Sequence, residues 1–205
     1  MDYSKLSDDN GIAMTVKALA EKNVEAIVLG TKEEALAKIK EWIPQGASVM
    51  NGSSQTLEKI GFVEYLKSGA HGWNNLHAGV MAEQDPVKRA ALRKQAVLSD
   101  YYLGSVHALV QTGEFIVASA SGSQLAHVVF TSPNLIFVVG TQKIVPTLDD
   151  ARARVKEYVF PLEDARMKST GAPGSVFSKE FIFHTEPAAM GRKVHMILVK
   201  EQLGF

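Results

Sequence analysis

The sequence predicts an α/β fold: a mostly parallel, Rossmann-like sheet with helices on both faces. Three observations carry that expectation. Short β-rich runs alternate with helix-period segments along most of the chain, the pattern of strands joined by helical crossovers. Two of the runs, Val24–Leu29 and Ala47–Met50, flank a segment as long as a right-handed βαβ crossover requires. A third run, Leu135–Val139, is apolar throughout, as expected of a strand buried on both faces.

Taken in order, the first element is an amphipathic helix near residues 8–22, with Ile12, Val16, Leu19 and Ala20 at helical spacing and Asn23 placed to end it. Strand Val24–Leu29 closes at Gly30. Thr31 and Glu34 then form a capping-box pattern for a helix that Pro44 and Gly46 terminate. Strand Ala47–Met50 runs into Asn51-Gly52-Ser53-Ser54-Gln55-Thr56 and a helix broken at Gly61. Residues 69–84, rich in Gly, Asn and His, read as a surface excursion in which Trp73 is either a packing anchor or a lid. Asp85-Pro86 opens a helix expected to reach about Tyr101. Val106–Val110 and Phe115–Ala118 read as strands joined through Gln111–Glu114, consistent with a hairpin. A short helix over Ser121–Val129, the strand Leu135–Val139 and a helix from Thr147 follow. Ser169–Ser178 reads as a linker or long loop, and Phe181–His184 and Val194–Val199 as late strands. Val24–Leu29, Ala47–Met50, Val106–Val110 and Leu135–Val139 are expected in one sheet.

Length suits one domain over residues 1–205, with 168–205 as the stretch that a C-terminal extension would occupy. Lys+Arg and Asp+Glu both number 22, and a zero balance argues against a nucleic-acid binder. No apolar run approaches a membrane span, and the polar, acidic N-terminal stretch reads against a secretory signal, so a cytoplasmic protein is expected. The chain has no cysteine, which removes thiol nucleophiles and thiolate-held clusters from its own chemistry. Its six histidines (His71, His77, His107, His127, His184 and His195) show no HxxxH or HExxH spacing. No protein-bound metal is expected, because a zinc site needs three or four convergent ligands.

Ligands of α/β proteins sit outside the carboxyl ends of the strands. That rule selects the polar turns after the β-rich runs. Gly52, Ser53, Ser54 and Gln55 follow one strand and open a helix, where free N–H groups attract anions; the plainer alternative is that Ser54 caps that helix. Ser121, Gly122 and Ser123 make a second such turn. Thr112 and Gly113 lie in the hairpin loop beside Glu114, which is either a solvated turn residue or a general base or nucleophile. Lys143 follows the buried strand directly and can pair with a carboxylate or phosphate. Neither a Walker loop nor a GxGxxG is present.

Four pieces, in order, carry a family resemblance. Val49–Ile60 (VMNGSSQTLEKI) is similar to a strand followed by Gly-Gly-Ser-x-Thr-Leu-Glu. Ser99–Gly113 (SDYYLGSVHALVQTG) is similar to an Ala-Asp-x-Tyr-Leu-x-Ser-x-Asn-Ala element. Gly140–Pro146 (GTQKIVP), with Asp149, Ala151 and Arg154, and the closing Arg192–Phe205 (RKVHMILVKEQLGF) complete the set. Over most of its length the chain thus resembles the LUD family, domains named for lactate utilisation. The resemblance implies a fold like the phosphosugar isomerases and CoA transferases, a site at the strand ends and a link to the oxidation of small hydroxy acids. It supplies no defined catalytic set and no defined cofactor. The chain departs from the pattern at His107, Gln111 and Ser123, and it lacks the cysteines that some relatives carry before the last strand.

Two functions follow from this. In one, the protein is an enzyme or enzyme subunit that binds a small anionic ligand across the two Ser/Gly loops, with Lys143 and Glu114 as its ionisable groups. In the other, it is a non-catalytic sensing or complex-forming subunit, with redox cofactors such as iron–sulfur clusters on partner chains. A homo-oligomer is expected in either case.

Overall fold

Alternate side chains of the central strands enter two separate cores, which is why those strands are apolar along their whole length. The computed structural model describes residues 1–205. Its strands are β1 (Val24–Leu29), β2 (Ser48–Asn51), β3 (Asn74–Asn75), β4 (Tyr101–Gly104), β5 (Ala108–Val110), β6 (Phe115–Ser119), β7 (Asn134–Gly140), β8 (Ile144–Val145), β9 (Lys179–Phe183) and β10 (Lys193–Val199). Six of them form a parallel sheet in the order β1-β10-β7-β4-β2-β3. The other four form a mixed sheet in the order β8-β5-β6-β9.

The helices are α1 (Asp9–Glu21), α2 (Lys32–Trp42), α3 (Gln55–Lys59), α4 (Phe62–Ser68), α5 (Leu76–Ala82), α6 (Pro86–Gln95), α7 (Ser123–Ala126), α8 (Leu148–Arg154) and α9 (Phe160–Ser169). On one face of the parallel sheet, Ile136, Val138, Ile197 and Val199 pack with Ala35 and Ile39 of α2, Leu57 of α3 and Phe62 of α4. On the other face, Leu135, Phe137, Met196 and Leu198 pack with Ile12 and Leu19 of α1 and with Phe115 and Val117 of the second sheet. The far side of that second sheet, through Ala108, Val110 and Ile116, meets Ala151 of α8 and Val155 just beyond it. The expected α/β fold with a parallel sheet flanked by helices is therefore present, with a small sheet as an added layer.

Local signals form as their chemistry requires. Thr31 and Glu34 complete a reciprocal capping box on α2. Asn23 ends α1 at a positive φ of 59° and donates its amide to Glu186 O at 2.7 Å. Trp73 is an anchor: its indole N–H donates to Ile43 O at 3.1 Å, and its rings pack against His71, Tyr65 and Phe62. Around it, residues 69–84 hold β3 and α5 rather than an irregular excursion.

The single-sheet expectation is corrected. Val106–Val110 does not join β1, β2 and β7; its strand, β5, pairs antiparallel with β6 in the second sheet. The place beside β7 belongs to Tyr101–Gly104, where the sequence suggested the end of a helix. Helix α6 closes at Gln95 through one tight turn, Ala96–Leu98, and Asp100 then ties the starts of β2 and β4 together by accepting from Ser48 N and Oγ at 2.8 and 2.7 Å. Aromatic Tyr101 and Tyr102 favour the strand. The crossover from β1 through α2 to β2 joins parallel strands, but three others lie between them. Residues 168–205 supply the edge strand β9 to one sheet and the interior strand β10 to the other.

Leaving the parallel sheet, β7 ends at Gly140, where the chain touches the C-terminal tail. A Cβ there would sit 2.6 Å from Glu201 O, 2.7 Å from Leu203 N and against the Gln142 side chain. Two of those atoms are backbone, so the clash has no cheap relief. Gly140→Ala is expected to lower stability in urea melts by about 1–3 kcal/mol, the usual cost of overpacking; an unchanged midpoint would contradict this packing.

Candidate functional site

The chain passes between the two sheets in two places. It leaves β4 through Ser105-Val106-His107 into β5, and it leaves β7 through Thr141-Gln142-Lys143 into β8. Both passages border one cavity of about 450 Å³. The loop after β2 and the loop after β6 form its other walls. Gly52, Ser53, Ser54, Gln55, Ser121, Ser123 and Lys143 all line it. Gly122 does not; it turns at φ 83° against the Lys179 side chain.

Lys143 is 2% exposed. Its Nζ lies 3.1 Å from each of three oxygens: Thr56 Oγ1, Ser105 Oγ and the Val106 carbonyl. None of these is charged. Burial, reinforced by the Arg154 and Lys59 charges, pushes the amine well below the ordinary lysine value. Thr56 passes its own hydroxyl proton to Leu203 O at 3.1 Å, and the Gln142 amide donates to the same carbonyl at 3.0 Å. The tail thereby braces the floor of the cavity.

His107 sits beside this floor. Its Nδ1 accepts from Ala118 N–H at 3.1 Å, so the ring proton is on Nε2 and is offered toward the cavity that His107 lines. Burial, with the Lys143 and Arg154 charges, drives its pKa down to about 3. Arg154 is fully buried and donates to the His107 carbonyl. Its Nε and Nη2 have no partner, and its guanidinium lies 5.3 Å from the Tyr158 ring and 5.9 Å from that of Tyr3. Burial brings its pKa down to about 10.

The back wall is aromatic. Tyr102 of β4 stacks on His127 at 4.4 Å with the rings 17° apart. His127 Nδ1 lies 2.9 Å from Ser132 Oγ, and burial lowers its pKa to about 4. The Tyr102 hydroxyl is buried with only the Gly52 backbone near it, and Asn51 Oδ1 is buried without a hydrogen-bond partner. Desolvation raises the tyrosine pKa above its ordinary value. A side chain at position 52 would come within 2.8 Å of that hydroxyl, so glycine lets the β2 loop approach the wall. The lining also includes His77, Arg93, Glu163 and Arg166. Glu163 is the one acidic side chain of the lining, and Arg166 holds it at 2.7 Å.

Several expectations change here. Ser54 does cap α3, accepting from Leu57 N at 3.3 Å. Ser121 and Ser119 occupy the N–H groups of Ser123 and Gly122 at 3.3 and 3.0 Å, so that turn offers hydroxyls more than free backbone donors. Thr112, Gly113 and Glu114 lie away from the cavity, at the tip of the β5–β6 hairpin. There Glu114 pairs with Lys22 of the segment after α1 at 2.8 Å and accepts from Thr112. Partial burial raises its carboxyl, but those hydrogen bonds outweigh it and hold the pKa below the ordinary value. A carboxylate so engaged is no base for this cavity. Thr56, Ser105, His107, Tyr102 and His127 were not selected from sequence. Reading Tyr101–Gly104 as a strand would have exposed Ser105-Val106-His107 as a strand-end loop.

The model of a family described as the LUD domain matches residues 12–199. No curated protein matches. Among solved structures, the chain is similar to a DUF162 family protein from Deinococcus radiodurans, with a TM-score of 0.56 and 13% identity over 95% of this chain and 99% of that one. At that identity the likeness shows the fold.

The two depressed histidines make stability depend on pH. In the unfolded chain a histidine takes up its proton near 6.5, whereas His127 and His107 resist protonation down to about 4 and about 3. The unfolded state therefore binds more protons below 6.5. Stability is full above that value and falls as pH drops toward 4, by on the order of 1 kcal/mol per pH unit for each group. Urea melts between pH 7 and pH 4 are expected to show a shallower fall for His127→Gln than for wild type; parallel curves would contradict the assignment.

Proposed function

The chain belongs to the LUD domain family, and on that premise we propose that it serves the utilisation of lactate or a similarly small hydroxy acid by binding a small anion in the cavity between its two sheets. The observation that supports this most is the charge balance of the lining. Arg93 lines the cavity without a carboxylate partner, Lys143 adds a buried amine donor, and the single acidic side chain, Glu163, is already taken by Arg166. Arg154, buried just behind His107, adds a further cation with unsatisfied N–H groups. An incoming carboxylate or phosphate supplies the missing negative charge. Ser53, Ser54, Ser121, Ser123 and the His107 Nε2–H offer it donors. Each hydrogen bond to a charged group contributes about 1.5–3 kcal/mol.

A second reading keeps the cavity and removes the chemistry: a sensing or complex-forming subunit whose redox cofactors sit on partner chains. The absence of cysteine favours it, because an iron–sulfur cluster needs thiolates from elsewhere.

Thermal-shift titration with lactate, glycolate, inorganic phosphate and a sugar phosphate tests the binding. At about 100 times its Kd a ligand adds about 2.7 kcal/mol of stability, so at least one of these anions is expected to raise the melting temperature. Arg93→Ala should weaken that anion roughly tenfold, the loss of one charged contact worth about 1.4 kcal/mol. If no anion stabilises the wild-type protein, or if Arg93→Ala titrates identically, the proposal fails. Product formation by the purified chain alone would exclude the non-catalytic reading.

A further inference from the structure

We propose that Lys143 is a covalent attachment site, its Nζ forming an imine with the carbonyl carbon of a small 2-oxo acid held in the cavity. The inference rests on the anion-binding reading and adds a reactive group to it.

The geometry around Nζ accommodates a neutral amine: three acceptors would suit an ammonium, but one of them, Ser105, can reverse its role. Three oxygens surround it at 3.1 Å, and no carboxylate does. Two of the three can only accept. Val106 contributes a carbonyl, and Thr56 has already committed its hydroxyl proton to Leu203 O. Ser105 differs: its Oγ has only a long contact, 3.4 Å, to the Val106 carbonyl, so its proton can turn toward Nζ. A neutral amine has two N–H donors and one lone pair. The donors match Thr56 and Val106, and the lone pair matches the Ser105 hydroxyl. Nothing in this set requires a charged ammonium, and the burial that depresses its pKa favours the uncharged form. A desolvated lysine beside another cation is the arrangement that activates an amine as a nucleophile. Here the cation is Arg154, and Lys143 lines the cavity.

The substrate class follows from the two halves of the site. An amine nucleophile requires an electrophilic carbonyl. The unmatched positive charge of the lining requires an anionic group on the same small molecule. A 2-oxo acid carries both. In the step itself, the Ser105 hydroxyl turns away to free the nitrogen lone pair, which bonds to the carbonyl carbon while the C=O π electrons move to oxygen. The nitrogen gives up its two protons in turn, relayed through the Ser105 hydroxyl and cavity water to that same oxygen, which departs as water when C=N forms. No oxidant or reductant takes part.

Reductive trapping tests this. The full-length protein is incubated with pyruvate or glyoxylate and cyanoborohydride near neutral pH, then measured by intact mass and peptide mapping, with thermal shift of the same mixtures before reduction. The expected result is one reduced adduct per chain, mapped to Lys143, with pyruvate or glyoxylate also raising the melting temperature. Lys143→Arg should lose the adduct; if that variant does not fold, the mapped site in wild type decides alone. Stabilisation by the oxo acid without an adduct at Lys143, or with adducts only on exposed lysines, overturns the imine and leaves anion binding standing. Neither stabilisation nor adduct overturns both.

Discussion

The structure turns on a buried amine held by three uncharged oxygens. Taking a lysine out of water is costly unless its nitrogen is fully hydrogen-bonded, and Lys143 meets that condition only because four separated segments converge. The turn after β7 carries it, the start of α3 supplies Thr56, the passage from β4 to β5 supplies Ser105 and Val106, and the C-terminal tail braces Thr56 through Leu203. Shifting any one of these leaves a buried polar group unpartnered. The same contact that fixes the lysine therefore fixes how the small sheet seats on the large one.

That constraint also explains the polarity of the cavity. The parallel sheet ends in the loops after β2 and β4, and the small sheet begins where those loops can be reached from β6. The space between is walled by hydroxyls, by His107 and by the Tyr102–His127 stack. Two histidines stay neutral because burial disfavours their protonated forms, aided at His107 by neighbouring cations. A neutral His107 offers one donor at Nε2 across the physiological range. Asn51 Oδ1, buried without a partner beside the same space, is a group of the kind held in native structures where a ligand or water completes it.

Much of this was legible in the sequence, because the signals concerned are local. The capping box at Thr31 and Glu34, the apolar run of β7 and the hairpin of β5 and β6 each depend on a few neighbouring residues. So does the polar loop Gly52–Gln55 after a short strand. The failures involve longer-range competition. Tyr101–Gly104 follows a helix so closely that its start was absorbed into that helix, and only pairing with β2 and β7 reveals the strand. Without that strand, Ser105 and His107 do not read as a strand-end loop, and β5 reads as part of the large sheet. Glu114 looked like an available acid because nothing near it in sequence shows that Lys22, on the far side of the fold, occupies it. The role of the Leu203–Phe205 tail is invisible without the packing around Gly140.

The measurement that bears most directly on this account is the titration of the Lys143 side chain, followed by heteronuclear NMR on protein carrying labelled lysine. The account predicts a midpoint well below the 10.5 of an ordinary lysine, moving upward when a small anion fills the cavity. A Lys143 that titrates at 10.5 or higher in the free protein would contradict it.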